Sequence, residues 1–128
     1  MILGFLKGFY VNGKRKQTNF EEKIKKGIKL HTIRGDEKNR WSKGRKIHFA
    51  TGTRTLQYNC FKEGVCTGTQ KIEISDRRVF IDGTMLSLEK LEELSINDGF
   101  DCLDDFWWWF DQYQPFTGKI IHWSDLRY

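Results

Sequence analysis

The sequence predicts an α+β domain: a small barrel of short strands with helices gathered toward the end. Three observations predict it. Between residues 46 and 86 apolar and polar residues alternate in short runs bounded by turn residues, the period of strands. From Ser87 onward the spacing of apolar residues changes to that of helices. The 128 residues fit one domain, and no linker, repeat or low-complexity segment divides them.

The elements follow in order. Ile2 to Leu6 is apolar and reads as a first strand, and Asn12-Gly13 marks a turn. Lys14-Arg15-Lys16 reads as a basic loop. Asn19 can cap a short helix from Phe20 to Lys26, with Phe20 and Ile24 facing inward and Gly27 as the C-terminal stop. A strand is expected near Leu30 to Arg34. On it Thr32 and Arg34 share one face, and His31 and Ile33 the other. A polar loop, Gly35 to Arg40, leads to Trp41 and a turn at Gly44.

Short strands are then expected at Lys46 to Ala50, Thr55 to Phe61, Thr69 to Ser75, Arg77 to Ile81 and Thr84 to Leu86. Asp82-Gly83 forms the hairpin turn between the last two. Five strands at such close spacing suggest a small barrel. Ser87 can cap a helix carrying Leu88, Leu91 and Leu94, which Asn97-Asp98-Gly99 ends. A second helix, Leu103 to Tyr113, puts Leu103, Phe106, Trp107 and Phe110 on one stripe. Pro115 and Gly118 stop it before a final strand, Gly118 to Trp123.

Composition narrows the function classes. Five Trp and ten Phe supply large core side chains. A domain of this size buries roughly two-thirds of the surface its unfolded chain exposes, so it needs neither disulfide nor metal to fold. Cys60, Cys66 and Cys102 are odd in number and include no CxxC pair, which fits reduced thiols in a cytoplasmic protein. The apolar start is cut short by Lys7, so neither a signal peptide nor a transmembrane helix is expected. The net charge of +5 is unevenly spread. Residues 1–54 carry 15 Lys/Arg against 4 Asp/Glu, residues 55–128 carry 7 against 13. A basic half is expected where a polyanion docks, unless the fold interleaves the two halves.

His31, His48 and His122 are isolated and no HxH or HExxH spacing occurs, so no metal or other cofactor is expected. There is no Walker loop, GxGxxG fingerprint or Gly-x-Ser-x-Gly elbow. What remains is Gly27 to Arg34. Lys29, Thr32 and Arg34 there read as an oxyanion grip, as an activated hydroxyl nucleophile, or as solvated surface charge. Trp41, between Arg40 and the basic residues Lys43 and Arg45, reads as a base-stacking ring or as a core-edge residue. Asp98 reads as a turn residue or as a carboxylate reaching a neighbouring strand.

The segment Ile24 to Arg34, followed by Trp41 and Gly44 and later by Asp98-Gly99-Phe100, resembles the signature of ASCH domains, a branch of the PUA-like superfamily. The resemblance runs from about Ile24 to Trp123. It implies a PUA-like pseudo-barrel with flanking helices and a cleft beside the Thr-Ile-Arg strand, binding RNA or nucleotides. It also implies an alternative. One bacterial group of similar small proteins hydrolyses acetylated cytidine with a Thr, a Lys and a Glu, onto which Thr32, Lys29 and Asp98 map. Two departures stand out: Asp98 is one methylene shorter than Glu, and residues Thr53 to Thr69 form a longer middle section.

Two expectations result. In the first, Lys29, Arg34, Arg40, Arg45 and Lys46 form a basic face for RNA or nucleotide phosphate, with Trp41 stacking a base. In the second, Thr32 is the nucleophile of an amidohydrolase acting on an acylated nucleoside, Lys29 its base and Asp98 the orienting acid.

Overall fold

Turn residues cut the chain into short elements. The computed structural model describes residues 1–128 as ten strands, three α-helices and one 3-10 turn. In chain order these are β1 (Ile2–Gly4), β2 (Gly8–Val11), β3 (Lys14–Gln17), α1 (Phe20–Lys25), β4 (His31–Arg34), β5 (Lys46–Thr51), β6 (Asn59–Val65) and β7 (Gly68–Ser75). Then follow β8 (Arg78–Ile81), β9 (Thr84–Met85), α2 (Leu88–Asn97), α3 (Leu103–Phe110), the 3-10 turn (Asp111–Tyr113) and β10 (Phe116–His122).

The fold is α+β, but its strands do not close into a barrel. They form a five-stranded sheet in the order β4-β10-β7-β8-β9, a three-stranded sheet β1-β5-β6, and a ribbon β2-β3. All pairings are antiparallel except β1 with β5. Strand β4 is an edge, and its only partner is β10, with His31 opposite His122 and Arg34 opposite Lys119.

Three expectations are corrected. Lys14-Arg15-Lys16 is not a loop: Asn12 and Gly13 both have positive φ, 51° and 77°, the geometry of a hairpin turn that pairs β3 with β2. The strand expected from Thr55 starts only at Asn59 and runs to Val65, because residues 52–58 form a turn opened by Gly52 and leave Leu56 fully exposed. At α1 the Asn19 side chain makes no capping bond; its backbone is left-handed, and the Thr18 hydroxyl accepts the Phe20 N–H instead.

The helices otherwise begin where the sequence suggests. The Ser87 hydroxyl accepts from the Lys90 N–H and caps α2. Leu91 and Leu94 are buried on it, while Leu88 is exposed. On α3 the buried stripe is Phe106, Trp107 and Phe110; Trp108 faces outward and Trp109 is half-buried. The core joins sheets and helices through aromatic contacts. Phe5 stacks on Phe49 at 6.1 Å, and Phe20, Phe100 and Trp109 lie within 6.0 Å of one another. No helix is long and apolar enough to cross a membrane.

Candidate functional site

Two helix ends build the site. Helix α1 stops at Gly27 (φ 74°), where the Gly27 N–H bonds Ile24 O and the Ile28 N–H bonds Lys23 O. Helix α2 stops in the same way at Gly99 (φ 98°), with Gly99 N–H on Ile96 O and Phe100 N–H on Ser95 O. Both are Schellman endings, which need a left-handed residue that glycine supplies without strain. The Leu30 N–H then bonds Asn97 O at 2.8 Å. That contact sets the start of β4 beside the end of α2 and brings Lys29 next to Asp98.

Lys29 is 1% exposed. Its Nζ donates to the Asp98 main-chain carbonyl and lies 3.5 Å from Asp98 Oδ1. It also sits 4.4 Å from the Phe20 ring centre, over its face. Glycine is required at position 99 for a second reason: a Cβ there would lie 2.8 Å from Lys29 Cδ and 3.0 Å from the Phe20 ring. The Asp-Gly-Phe run thus has a physical meaning. It supplies a carboxylate, an opening for the lysine stem, and an aromatic wall.

Strand alternation places the other two groups. Thr32 is buried, and its Oγ1 accepts from Arg34 Nε at 3.2 Å. Arg34 is anchored further by Nη2 on Gly4 O at 2.6 Å. Lys29, Thr32, Arg34 and Asp98 line one cavity of about 240 Å³, with Phe20, Phe100 and Trp109 among its aromatic walls. Leu6 and Tyr113, 64% and 52% exposed, also line it, so it reaches the surface between them. Lys29 Nζ and Thr32 Oγ1 share the cavity without a direct hydrogen bond.

Burial sets the electrostatics. It lowers the Lys29 pKa to about 8, aided by the Arg34 and Lys23 cations and opposed by Asp98. Burial also lowers the Arg34 and His31 values; Asp98 opposes both. Two cations and one carboxylate line the cavity. Loss of the Lys29 proton leaves Arg34 and Asp98 in balance.

The basic face expected from the sequence is not brought together. Lys29 and Arg34 line the cavity, whereas Arg40, Arg45 and Lys46 lie outside it. Arg45 Nε donates to Arg40 O, and Arg45 and Lys46 border a shallow depression with Met1 and Gly44. Trp41 is 6% exposed and belongs to the core. Its N–H and that of Arg40 are held by the Asp36 carboxylate. Core packing, not base stacking, accounts for its ring.

The structure adds two residues that the sequence reading passed over. His31, fully buried, places Nδ1 3.1 Å from Asp98 Oδ1, and its Nε2 is 2.6 Å from the Tyr128 hydroxyl. Strand alternation put His31 on the face away from Thr32, and Tyr128 is 97 residues distant, so no local pattern connects them. Trp109, in a Trp run that the sequence reads as helix packing or as a ligand or partner surface, walls the cavity with Phe20 and Phe100. No group of three or more His, Cys, Asp or Glu side chains is arranged to hold a metal ion.

No family model, curated protein or solved structure matches the chain.

Proposed function

We propose that the cavity takes a nucleoside-sized ligand and that the chain is an amidohydrolase cleaving an acyl group from its amine. One observation carries the reading: a buried lysine with lowered proton affinity, a threonine hydroxyl and a carboxylate line a single aromatic-walled cavity. Its volume lies just below the roughly 300–1,000 Å³ of sites for drug-sized ligands, which suits a single nucleoside better than a strand. Aromatic walls suit a flat heterocycle.

The residues divide the chemistry as follows. The Thr32 hydroxyl attacks the acyl carbon and passes its proton to neutral Lys29. Arg34, already bonded to Thr32 Oγ1, lies beside the negative charge that develops. The carbon–nitrogen bond breaks, and Lys29 returns the proton to the leaving nitrogen. The acyl group is then an ester on Thr32. Water, deprotonated by Lys29, attacks it and releases the carboxylic acid, and the proton returns to the Thr32 oxygen. Asp98 holds Lys29 in place. The order of motifs also supports an ASCH-type, PUA-like domain with a pseudo-barrel core, and three free cysteines support a cytoplasmic protein.

Steady-state hydrolysis of N-acylated nucleosides tests the reading. Wild type is expected to turn over, with a rate that rises with pH as Lys29 loses its proton, half-maximal near pH 8 and level only well above it. Thr32→Val and Lys29→Ala are each expected to lose at least about 100-fold. A folded wild type with no turnover across the panel would overturn it.

A second reading is favoured by the exposed cations Arg40 and Arg45, neither of which has a carboxylate within ion-pair distance. In it, the chain binds RNA or a nucleotide phosphate outside the cavity. Affinity for RNA should then fall steeply with salt and be lost in Arg40→Ala/Arg45→Ala.

A further inference from the structure

We infer that His31 and Tyr128 form a positioning relay behind the cavity, which fixes the Asp98 carboxylate against Lys29 by holding His31 in one tautomer. The inference rests on the hydrolase reading only for its effect on turnover; the relay itself stands on geometry.

The polarity of the chain is determined from one end. Asn97 Nδ2 donates to the Tyr128 oxygen at 3.0 Å. An amide nitrogen only donates, so the phenol oxygen is the acceptor there. Its single proton is then free for His31 Nε2, 2.6 Å away. A nitrogen that accepts has no proton of its own. In the neutral ring the proton is therefore on Nδ1, and it is donated to Asp98 Oδ1 at 3.1 Å. The other tautomer would set an imidazole lone pair against the carboxylate and a ring N–H against the phenol proton.

The relay is braced rather than loose. The Tyr128 N–H bonds Gln70 Oε1 at 3.0 Å, and Gln70 Nε2 bonds the Tyr128 carbonyl at 2.8 Å. Gln70 Oε1 also accepts from His122 Nε2 at 3.0 Å, and the His122 ring packs edge-on against His31 at 5.3 Å. His31 and His122 are fully buried and Gln70 and Asp98 nearly so. No part of the relay lines the cavity except Asp98. It touches no substrate and acts through the carboxylate alone, as the partners behind metal-binding histidines do.

The charged and titratable groups around the pair are few. Lys29 faces Asp98 from α2, Arg34 and His31 from β4, and Lys23 from α1. His31 faces Asp98, Lys29, Tyr128 and His122. Removing the phenol proton frees Nε2. His31 can then turn its lone pair on Asp98, which loosens the carboxylate, or take a second proton beside Lys29. Either change makes the Lys29 cation less favourable, so both move its titration the same way.

Nuclear magnetic resonance of the full chain tests this without any substrate. Nitrogen-15 shifts of His31 are expected to show a protonated Nδ1 and a bare Nε2 in wild type. In Tyr128→Phe that selection is lost, and the Lys29 titration midpoint moves to lower pH; Asn97→Ala moves it the same way by less. Turnover in Tyr128→Phe should fall roughly tenfold in kcat with KM retained. A wild-type His31 protonated on Nε2 overturns the relay, and so does a Lys29 midpoint unmoved in a folded Tyr128→Phe. If the wild type hydrolyses nothing, the hydrolase reading fails, while the tautomer and the midpoint still decide the relay.

Discussion

Lys29 is costly where it is. A lysine buried to this degree gives up solvation that Asp98 and two aromatic faces replace only in part, and its proton affinity falls accordingly. The residue that admits it is Gly99. Alanine there forces a side chain into a left-handed backbone and against both Lys29 and Phe20. Gly99→Ala should lower stability by about 1–3 kcal/mol in denaturant melts and depress turnover in the molecules that fold. An alanine variant with wild-type stability and rate would show that Lys29 is not held by this contact. At this scale the sequence was partly readable. Lys29, Thr32 and Asp98 could be singled out as residue types, and the structure sets them around one cavity. Trp41 could not be assigned, because a ring beside basic residues reads the same whether it lies on the surface or in the core. His31 was missed because its partners, Asp98 and Tyr128, are far along the chain.

Helix endings do more to shape the site than strand propensity does. Gly27 and Gly99 close α1 and α2 with the same hydrogen-bond pattern, and the groups of interest sit one or two residues from each. The end of α2 leaves carbonyls without helical partners, and Lys29 and Lys23 donate to two of them, those of Asp98 and Gly99. The opposite end of α2 is independent of this. Ser87→Ala removes its cap and should cost about 1 kcal/mol in a urea titration with unchanged m, leaving kcat intact at temperatures below melting. A loss of rate without a loss of stability would mean that the cap reaches the site. Element types from Lys46 onward were legible through alternation and period. Boundaries failed where turn geometry decided, as at Asn12-Gly13, which turned an expected loop into a hairpin strand, and at Gly52, which delayed β6 by four residues. How strands join into sheets was not legible, since β4 pairs only with β10 and nothing local encodes that choice.

For the molecule as a whole, the uneven charge of the sequence is folded together. Lys16 pairs with Asp101 and Asp105, Lys23 with Asp101, Lys29 with Asp98, and Lys46 with Glu63. Cations of the first half thus meet carboxylates of the second, and part of the basic excess is spent on internal pairing. Burial also makes the molecule acid-sensitive. His122 is buried neutral, with its pKa lowered to about 3 by burial first and by neighbouring His31 and Arg127 after it. The unfolded imidazole takes a proton below about 6.5, while the folded one does not until about pH 3. Stability from this group is complete above 6.5 and is lost as pH falls, by about 1.4 kcal/mol per unit. Urea unfolding of wild type and His122→Gln between pH 7 and pH 4 should show the smaller slope in the variant; equal slopes would assign the acid sensitivity elsewhere. The lone pairing of β4 has one more consequence, for the growing polypeptide. While the ribosome is still making the middle of the chain, Thr32 and Arg34 lie on a strand with no mate. Only when residues 116–122 have left the exit tunnel can that strand dock, so the cavity cannot be completed before residue 122 has emerged.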